Sequence, residues 1–391
     1  MLRRTFVRKG GLAAGTAFAG SLWQGAALAV VSRHDSPYGP LGAPDGNRVA
    51  LPAGFTSRIV ARTGHRVGGV LWHPAPDGGA CFPDGSGWIY VSNSEIPLLG
   101  GATAIRFGPD AAVRGAYRIL SGTNLNCAGG ATPWNTWLSC EEISRGRIFE
   151  CDPYGVRAAM PRLAMGRFKH EAAACDPVRQ VVYLTEDEPD GCFYRFVPAH
   201  WGDLTTGRLE VMCSSPVSGS PMGGSPVGGA DTGAVTWRRV PNPAALLEAT
   251  RHQVDTALRF DGGEGCHYSD GVCFFTGKGD NRVWAYDAEN ERLEVAYDAD
   301  APLNGVDNIT GTSSGDLYVA EDGGNMEINL ITPERTVTPF LRVDGHSGSE
   351  ITGPAFSPDG GRLYFSSQRG PRGDAAGTDG VTFEITGPFR R

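Results

Sequence analysis

One phrase recurs along this chain of 391 residues: a turn containing Asp-Gly or an equivalent dipeptide, then an alternating strand with an aromatic side chain. If one residue of each such strand serves as a marker, the successive steps are 48, 45, 91, 44 and 46 residues. The markers are Tyr90, Leu138, Tyr183, Phe274, Tyr318 and Tyr364. A period in the forties with several strands in each repeat is typical of a β-propeller.

The doubled step indicates either a long insertion or a blade whose phrase has eroded. Residues 214–233 are rich in Ser, Gly and Pro, and residues 243–258 predict an amphipathic helix, so an insertion at about residues 200–260 is favoured. The predicted fold is all-β: one six-bladed β-propeller domain over residues 30–391, with a loop and helix insertion. Residues 191–197 and 281–287 are predicted to be outward neighbours of marker strands. Five or seven blades stay open, as does a two-sheet sandwich, for which shorter and less regular spacing is expected.

The N-terminus predicts an export signal that is not part of the fold. Residues 3–9 form a twin-arginine pattern, residues 10–20 are weakly apolar, and Ala27-Leu28-Ala29 resembles a cleavage site. We therefore expect residues 1–29 to be read by the twin-arginine export machinery and the mature protein to be periplasmic or extracellular. Beyond residue 30 no apolar run approaches the roughly 20 residues that span a bilayer, so stable membrane insertion is not expected.

Charge and composition narrow the class of partner. The formal net charge is −8, and no basic cluster occurs beyond the N-terminus, which argues against nucleic acid. The chain contains 56 glycines and 27 prolines, which suits short strands and many turns. We expect a monomer that holds cations.

The nine cysteines are an odd number, so at least one is unpaired in a monomer. Cys127, on the Gly-rich turn of residues 126–130, is the candidate free thiolate, although Cys140 is close enough in sequence to pair with it. Pairing among the other cysteines cannot be read from the sequence. No Cys-x-x-Cys pair occurs, so a structural zinc site is not expected.

Polar side chains occupy equivalent places beside the marker strands. Because equivalent turns of all blades meet at one end of a propeller channel, we expect these groups to converge. Those after the strands are Asn93 and Glu95, Glu141 and Glu142, Glu186 and Asp187, Lys278 and Asp280, Glu321 and Asp322, and Gln368 and Arg369. Those before the strands are His170 and Glu171, Glu264, Asp307 and Asn308, and Glu350.

Any one of these acids alone could be a solvated or turn-capping carboxylate. As a set they would repel one another unless cations neutralise them. Oxygen ligands in this number suit calcium, whereas a thiolate together with carboxylates suits iron.

Several segments resemble the PhoX-type alkaline phosphatases, and they occur in the expected order from about residue 90 to the C-terminus. They are residues 126–142, 166–171, 264–268, 306–309, 319–322, 349–360 and 380–388. The resemblance implies a six-bladed propeller whose channel holds calcium and iron ions bridged by an oxo group. It also implies hydrolysis of small-molecule phosphate monoesters.

The same resemblance implies functional roles for individual residues. Cys127 is implied as an iron ligand, and Asn93 as a contact to phosphate. An arginine that family members carry two places before Glu264 is Gly262 here, so either Arg259 reaches the same space or the phosphate-clamping charge is missing. The further implied metal ligands are Glu171, Glu264, Asp307 and Glu350, with Glu321 and Asp322 as additional candidates.

The first hypothesis is thus an exported, metal-dependent phosphatase that releases inorganic phosphate. A calcium-dependent lactonase or diesterase, or a non-catalytic propeller that binds a ligand, stays open because one fold supports many functions. The substitution Cys127→Ser separates them, since only the phosphatase needs the iron site.

Overall fold

The structure, a computed structural model, describes residues 36–215, 233–299 and 302–391. The predicted signal peptide and most of the Ser/Gly/Pro-rich stretch lie outside the described residues. Two short 3-10 helices span Leu163–Met165 and Thr250–His252. The strands, in chain order, are β1 (Val49–Ala50), β2 (Thr56–Arg62), β3 (Arg66–Val67), β4 (Val70–Leu71), β5 (Pro76–Asp84), β6 (Gly87–Ser94), β7 (Gly100–Phe107), β8 (Val113–Thr123), β9 (Asn126–Ala131), β10 (Trp137–Glu141), β11 (Ile148–Cys151), β12 (Met160–Pro161), β13 (His170–Asp176), β14 (Val181–Glu186), β15 (Phe193–His200), β16 (Asp203–Ser214), β17 (Gly233–Arg239), β18 (Gly263–Ser269), β19 (Val272–Gly277), β20 (Arg282–Asp287), β21 (Arg292–Asp298), β22 (Val306–Gly311), β23 (Leu317–Glu321), β24 (Glu327–Ile331), β25 (Val337–Val343), β26 (Ile351–Phe356), β27 (Arg362–Ser367) and β28 (Val381–Thr386).

The antiparallel sheets form the blades of a propeller. Four blades are separate sheets: blade 1 (β5–β8), blade 2 (β9–β12), blade 5 (β22–β25, extended by β1) and blade 6 (β26–β28 with β2). Blade 3 (β13–β16) and blade 4 (β18–β21) are joined through β17 into one nine-stranded sheet. The first strands β5, β9, β13, β18, β22 and β26 contact one another in a closed ring, which confirms the predicted propeller.

The six marker residues all lie on the second strands of the blades: β6, β10, β14, β19, β23 and β27. Each marker side chain is at most 2% exposed, because it packs between neighbouring blades. Tyr90 of blade 1 stacks on Tyr364 of blade 6 with ring centroids 4.8 Å apart. Tyr183 of blade 3 contacts Tyr286 of blade 4 edge to face, with ring centroids 5.7 Å apart. The aromatic repeat therefore reports contacts between blades.

The doubled step corresponds to an insertion, since β17 and the loop after it separate blades 3 and 4. The amphipathic helix predicted for residues 243–258 is wrong: the described helix there is only Thr250–His252. Leu246 and Leu247 are 66% and 99% exposed, so this segment buries no continuous apolar face. A short helix without such a face is marginal in water.

Blade 6 closes the ring. Its outer strand β2 comes from the N-terminal side and pairs with β28, from Thr56 opposite Thr386 to Arg62 opposite Val381. The two ends of the described chain are thereby held in one sheet. Within the described residues, no helix is long and apolar enough to cross a membrane.

Every first strand contains a β-bulge at the same place. Two of its residues oppose one residue of the second strand, and such a bulge re-aims side chains locally. The bulged pairs are Asp77-Gly78, Cys127-Ala128, Glu171-Ala172, Glu264-Gly265, Asp307-Asn308 and Gly353-Pro354. In five of the six pairs, the first residue is an acid or a thiol.

The second residue of most bulged pairs is small because neighbouring first strands approach closely. A Cβ on Gly78 would lie 2.5 Å from the Cα of Ala128, and one on Gly265 would lie 2.6 Å from the backbone nitrogen of Ile309. Either substitution would force two first strands apart. The pattern of an acid followed by a small residue is thus a consequence of how the channel is built.

Candidate metal centre

Nine side chains from the six blades bring possible ligand atoms together in four overlapping groups. Within each group the ligand atoms lie within 4.8 Å of one another. The groups are Asp77/Glu95/Cys127, Cys127/Glu142/Glu171, Glu171/Glu264/Asp307 and Asp307/Asp322/Glu350. Because Cys127, Glu171 and Asp307 each belong to two groups, the nine residues form one continuous set, which we call the acidic band.

Six of the seven predicted metal ligands belong to the acidic band: Cys127, Glu171, Glu264, Asp307, Asp322 and Glu350. Glu321 does not. Its carboxylate accepts hydrogen bonds from the backbone N–H groups of Asn304 (2.9 Å) and Glu327 (3.2 Å) and from the side chain of Asn329 (3.1 Å). The expectation that Glu321 binds metal is therefore not supported, since these bonds give it a structural role.

Glu321 is one of three equivalent acids. Each accepts a hydrogen bond from the backbone N–H six residues later: Glu141 from Arg147 (3.2 Å), Glu186 from Cys192 (3.1 Å) and Glu321 from Glu327 (3.2 Å). The acid that follows each of them, Glu142, Asp187 or Asp322, ion-pairs with a lysine beside the band. In each adjacent pair, the first acid closes a loop and the second contacts a lysine that pairs with an acid of the band.

Two members of the band, Glu95 and Glu142, were predicted to converge with the others but not to bind metal. Asp77 was missed, because Pro76-Asp77-Gly78-Gly79 has the composition of a turn. The signal that could have found it is an acid followed by a small residue at the start of a strand. Glu171-Ala172 and Glu264-Gly265 show the same pattern.

Glu171 lies at the centre of the band and is fully buried. Its Oε1 accepts a hydrogen bond from the Cys127 thiol (3.1 Å), whereas its Oε2 has no hydrogen-bond partner. Burial, reinforced by the charges of Glu264 and Glu142, raises the pKa of Glu171 well above its usual value. A buried carboxylate oxygen without a hydrogen-bond donor can serve as a ligand atom for a cation.

Other acids of the band also have raised pKa values. Burial, reinforced by the charge of Asp307, raises the pKa of Glu264 and of Glu350 well above the usual range. Burial also raises the pKa of Asp77 to about 6 and that of Asp307 to about 7. Burial and the neighbouring like charges therefore disfavour the ionised forms of these carboxyls.

The pKa of Asp322 shifts in the opposite direction from that of Glu350. Although burial opposes the change, a hydrogen bond from Glu350 and the charge of Lys278 lower the pKa of Asp322. Asp322 is therefore the more readily ionised of these two carboxyls.

Three basic side chains contact the acids of the band. Lys278 Nζ lies 2.9 Å from Glu264 Oε1 and 3.2 Å from Asp322 Oδ2. Arg369 Nη2 lies 2.8 Å from Glu350 Oε1. Lys169 Nζ lies 2.8 Å from Glu142 Oε1 and 2.6 Å from Asp187 Oδ2. They place three positive charges at the site.

Asn93 has a structural role. Its Nδ2 donates hydrogen bonds to the backbone oxygens of Cys127 (2.9 Å) and Ala128 (2.9 Å). Its Oδ1 accepts hydrogen bonds from Trp137 Nε1 (2.9 Å) and Ser139 Oγ (2.8 Å). All its donor and acceptor positions are used to hold the bulge that carries Cys127. The expectation that Asn93 contacts phosphate is therefore not supported.

Arg259 does not reach the acidic band. Its Nη1 donates to the backbone oxygen of Asp190 (3.4 Å) and lies 3.0 Å from Cys192 Sγ. Gly262 has a φ of +64°, and a Cβ there would lie 3.6 Å from the Cβ of Lys278. The cation beside Gly262 is thus Lys278, and the expectation for Arg259 is not supported.

All nine cysteines fall within the described residues and are free thiols, so Cys127 is not paired with Cys140. The band offers eight carboxylates and one thiol, a donor set that suits hard cations together with iron. With the unpartnered oxygen of Glu171, these residues fit a multi-metal site.

Known proteins share the sequence profile and the fold of this chain. The sequence profile of the family described as alkaline phosphatase PhoX matches residues 88–148 and 144–294, more than half of the chain. The fold resembles that of Pseudomonas fluorescens PhoX in complex with vanadate, a transition state analogue. That similarity has a TM-score of 0.70 and 18% identity over 89% of this chain and 97% of that one.

A gluconolactonase of Xanthomonas campestris is also similar in fold, with a TM-score of 0.51 and 12% identity over 90% of this chain and 99% of that one. At these identities both structures show a shared fold alone. No curated protein matches the sequence significantly.

Proposed function

The chain belongs to the PhoX alkaline phosphatase family, and from that premise we propose that it is a metal-dependent phosphomonoesterase acting on small-molecule phosphate esters. The observation that carries this proposal is the acidic band. Eight carboxylates and a thiol converge from six blades on one place, around a fully buried Glu171 with an unpartnered oxygen. A purely structural channel has no need for so many mutually repelling acids.

The composition of the four groups supports a division between two kinds of metal. The two groups that contain the Cys127 thiol suit iron, whereas Glu171/Glu264/Asp307 and Asp307/Asp322/Glu350 offer only oxygen and suit calcium. Bound cations would supply Lewis-acid polarisation of the phosphoryl oxygens.

The chain itself supplies a cation for the substrate. Lys278 contacts two acids of the band, and its side chain is 37% exposed, so its ammonium group is accessible from solvent. Cations held by Glu264 and Asp322 would neutralise these carboxylates and leave Nζ free to bind substrate. It can then donate a hydrogen bond to a phosphoryl oxygen, the type of interaction on which phosphoryl transfer depends.

The test is the hydrolysis of p-nitrophenyl phosphate by purified protein, with and without a chelator. Bis(p-nitrophenyl) phosphate and glucono-δ-lactone serve as the alternative substrates. We expect chelator-sensitive release of phosphate from the monoester. Hydrolysis of the lactone alone, or no hydrolysis with a fully metal-loaded site, would contradict the proposal.

Two matched variants sharpen this test. Glu171→Gln changes a central acid of the band, whereas Glu141→Gln changes an equally buried acid that accepts hydrogen bonds from Asn124 and Arg147. We expect the first substitution to remove hydrolysis by the folded protein and the second to preserve it. Cys127→Ser should also abolish hydrolysis of the monoester if the thiol-containing groups hold iron.

We also propose export by the twin-arginine route, supported by the pattern at residues 3–9. Replacing Arg3 and Arg4 together with lysine should leave an uncleaved, folded precursor in the cytoplasm of the expressing cell. Cell fractionation measures the processing and export of this variant. Unchanged processing and export would refute the twin-arginine route.

A further inference from the structure

We propose that Cys266 and Cys273 form a reversible disulfide when the protein meets a small-molecule disulfide oxidant. Their sulfur atoms lie 3.4 Å apart. All nine cysteines lie within the described ranges, and among them this is the one pair whose sulfurs are in contact. This inference does not depend on the proposed hydrolytic activity.

Strand register brings the two sulfurs together. On the paired strands β18 and β19 of blade 4, Cys266 is opposite Phe275 and Tyr268 is opposite Cys273. Cys266 and Cys273 are therefore diagonal neighbours on one face of the sheet. A disulfide needs a sulfur separation of about 2.05 Å, so the two sulfurs, 3.4 Å apart, must approach each other by roughly 1.4 Å to bond.

The two thiols differ in access. A cavity of about 300 Å³ is lined by residues that follow the bulged pairs along the first strands, and Cys266 forms part of its wall. Cys81 and Cys175 on the same wall are partly exposed, so solvent reaches the cavity. Cys266 is 9% exposed and Cys273 is 0% exposed. An oxidant therefore meets Cys266 first.

This order of access predicts a two-step thiol–disulfide exchange. The thiolate of Cys266 attacks one sulfur of the oxidant RSSR, forming a mixed disulfide and releasing one RS⁻. The thiolate of Cys273 then attacks the Cys266 sulfur, closing the internal disulfide and releasing the second RS⁻. Two protein thiols are oxidised and one RSSR is reduced to two RSH, with the two thiol protons taken up by the products.

The cross-link joins two strands that carry site residues. Glu264 lies in the bulge of β18, and Lys278 directly follows the last residue of β19. Closing the hairpin restricts the unfolded chain more than the folded one, so the oxidised protein should have the higher melting temperature.

The test uses the full chain treated with cystamine, followed by alkylation, intact mass measurement and peptide mapping. We expect the native protein to yield a peptide cross-linked between Cys266 and Cys273. In the Cys273→Ser variant, Cys266 should keep a cysteamine adduct, and in Cys266→Ser, Cys273 should stay unmodified. Cys175→Ser, which changes another thiol of the same cavity wall, should leave the cross-link intact.

Two results would overturn the proposal: a stable adduct on Cys266 of the native protein without a cross-link, or modification of Cys273 in the Cys266→Ser variant. If a variant does not fold, the melting temperature of the native protein tests the cross-link without it. Its melting temperature should rise by roughly 2–5 °C on oxidation and return on reduction. An unchanged melting temperature on oxidation would also count against the cross-link.

Discussion

Substituting Glu171 with glutamine should make the metal-free protein more stable and at the same time remove its stabilisation by cations. Glu171 is fully buried and belongs to two of the four ligand groups. In the absence of cations, burial among other carboxylates makes the ionised form of Glu171 costly, and its Oε2 has no partner. Glutamine keeps the volume and an acceptor for the Cys127 thiol but removes the charge.

The magnitude follows from the spacing of the band. The ligand atoms of Glu171, Glu264 and Asp307 lie within 4.8 Å of one another. At that separation, and at an effective dielectric constant near 20, each ionised pair repels by roughly 3.5 kcal/mol. Protons taken up by the band relieve much of this repulsion. We therefore expect a net gain of about 2–3 kcal/mol, or about 2–5 °C in melting temperature for a domain of this size.

The assay is thermal unfolding at pH 8, once with a chelator and once with calcium. Glu141→Gln is the matched control, because that buried acid accepts hydrogen bonds from Asn124 (3.1 Å) and Arg147 (2.9 Å). Losing charge-assisted bonds should destabilise the control by about 2–3 kcal/mol in both conditions. A lower melting temperature for Glu171→Gln than for native protein in chelator, or undiminished stabilisation by calcium, would refute the reasoning.

Three further predictions concern neighbouring residues. Lys278→Met should lower kcat/KM for a phosphomonoester by about 10²-fold and weaken vanadate inhibition; unchanged inhibition would show that Lys278 does not contact phosphate. In chelated protein, Asp77 and Asp307 have a raised pKa of about 6 and about 7. Their contribution to stability is present below the unfolded pKa near 4 and is lost as pH rises through these values. Denaturant unfolding should show this decline flattened in Asp307→Asn, and an equal slope in the variant would contradict it. Asn93→Ala should destabilise the protein by about 3 kcal/mol, because it leaves the backbone oxygens of the Cys127 bulge without donors; a change below about 1 kcal/mol in denaturant unfolding would contradict this role.

Much of the fold was predictable because the aromatic phrase marks a repeated packing contact. Each marker lies on the second strand of a blade, and the insertion falls at the doubled step. The helix predicted for residues 243–258 failed because periodicity in sequence does not reveal whether an apolar face finds a partner. Leu247 there is 99% exposed.

The site was predictable where an acid falls in a recognisable motif, as for Glu171 and Glu264. It was not predictable where the role depends on register. The bulges carry five of the nine residues of the band, and they are a property of strand pairing that the sequence does not display. For the same reason, Glu321 and Asp322 could not be told apart, although one closes a loop and the other belongs to the band.

Lys278 shows a related limit. It was expected to converge with Glu264, and its Nζ lies 2.9 Å from Glu264 Oε1, but the sequence did not single it out as the cation beside Gly262. The hairpin of β18 and β19 places both residues at the same end of blade 4. Arg259 is nearer to Glu264 in sequence but points to Asp190 and Cys192.

The most direct test of a metal-dependent phosphatase is to measure bound calcium and iron by elemental mass spectrometry in protein purified by its own export route. Hydrolysis of p-nitrophenyl phosphate is assayed on the same preparation before and after chelation. We predict calcium and iron together, with phosphate release that disappears when the metals are removed. Calcium without iron, together with no release of phosphate, would contradict both the role of Cys127 and the proposed reaction.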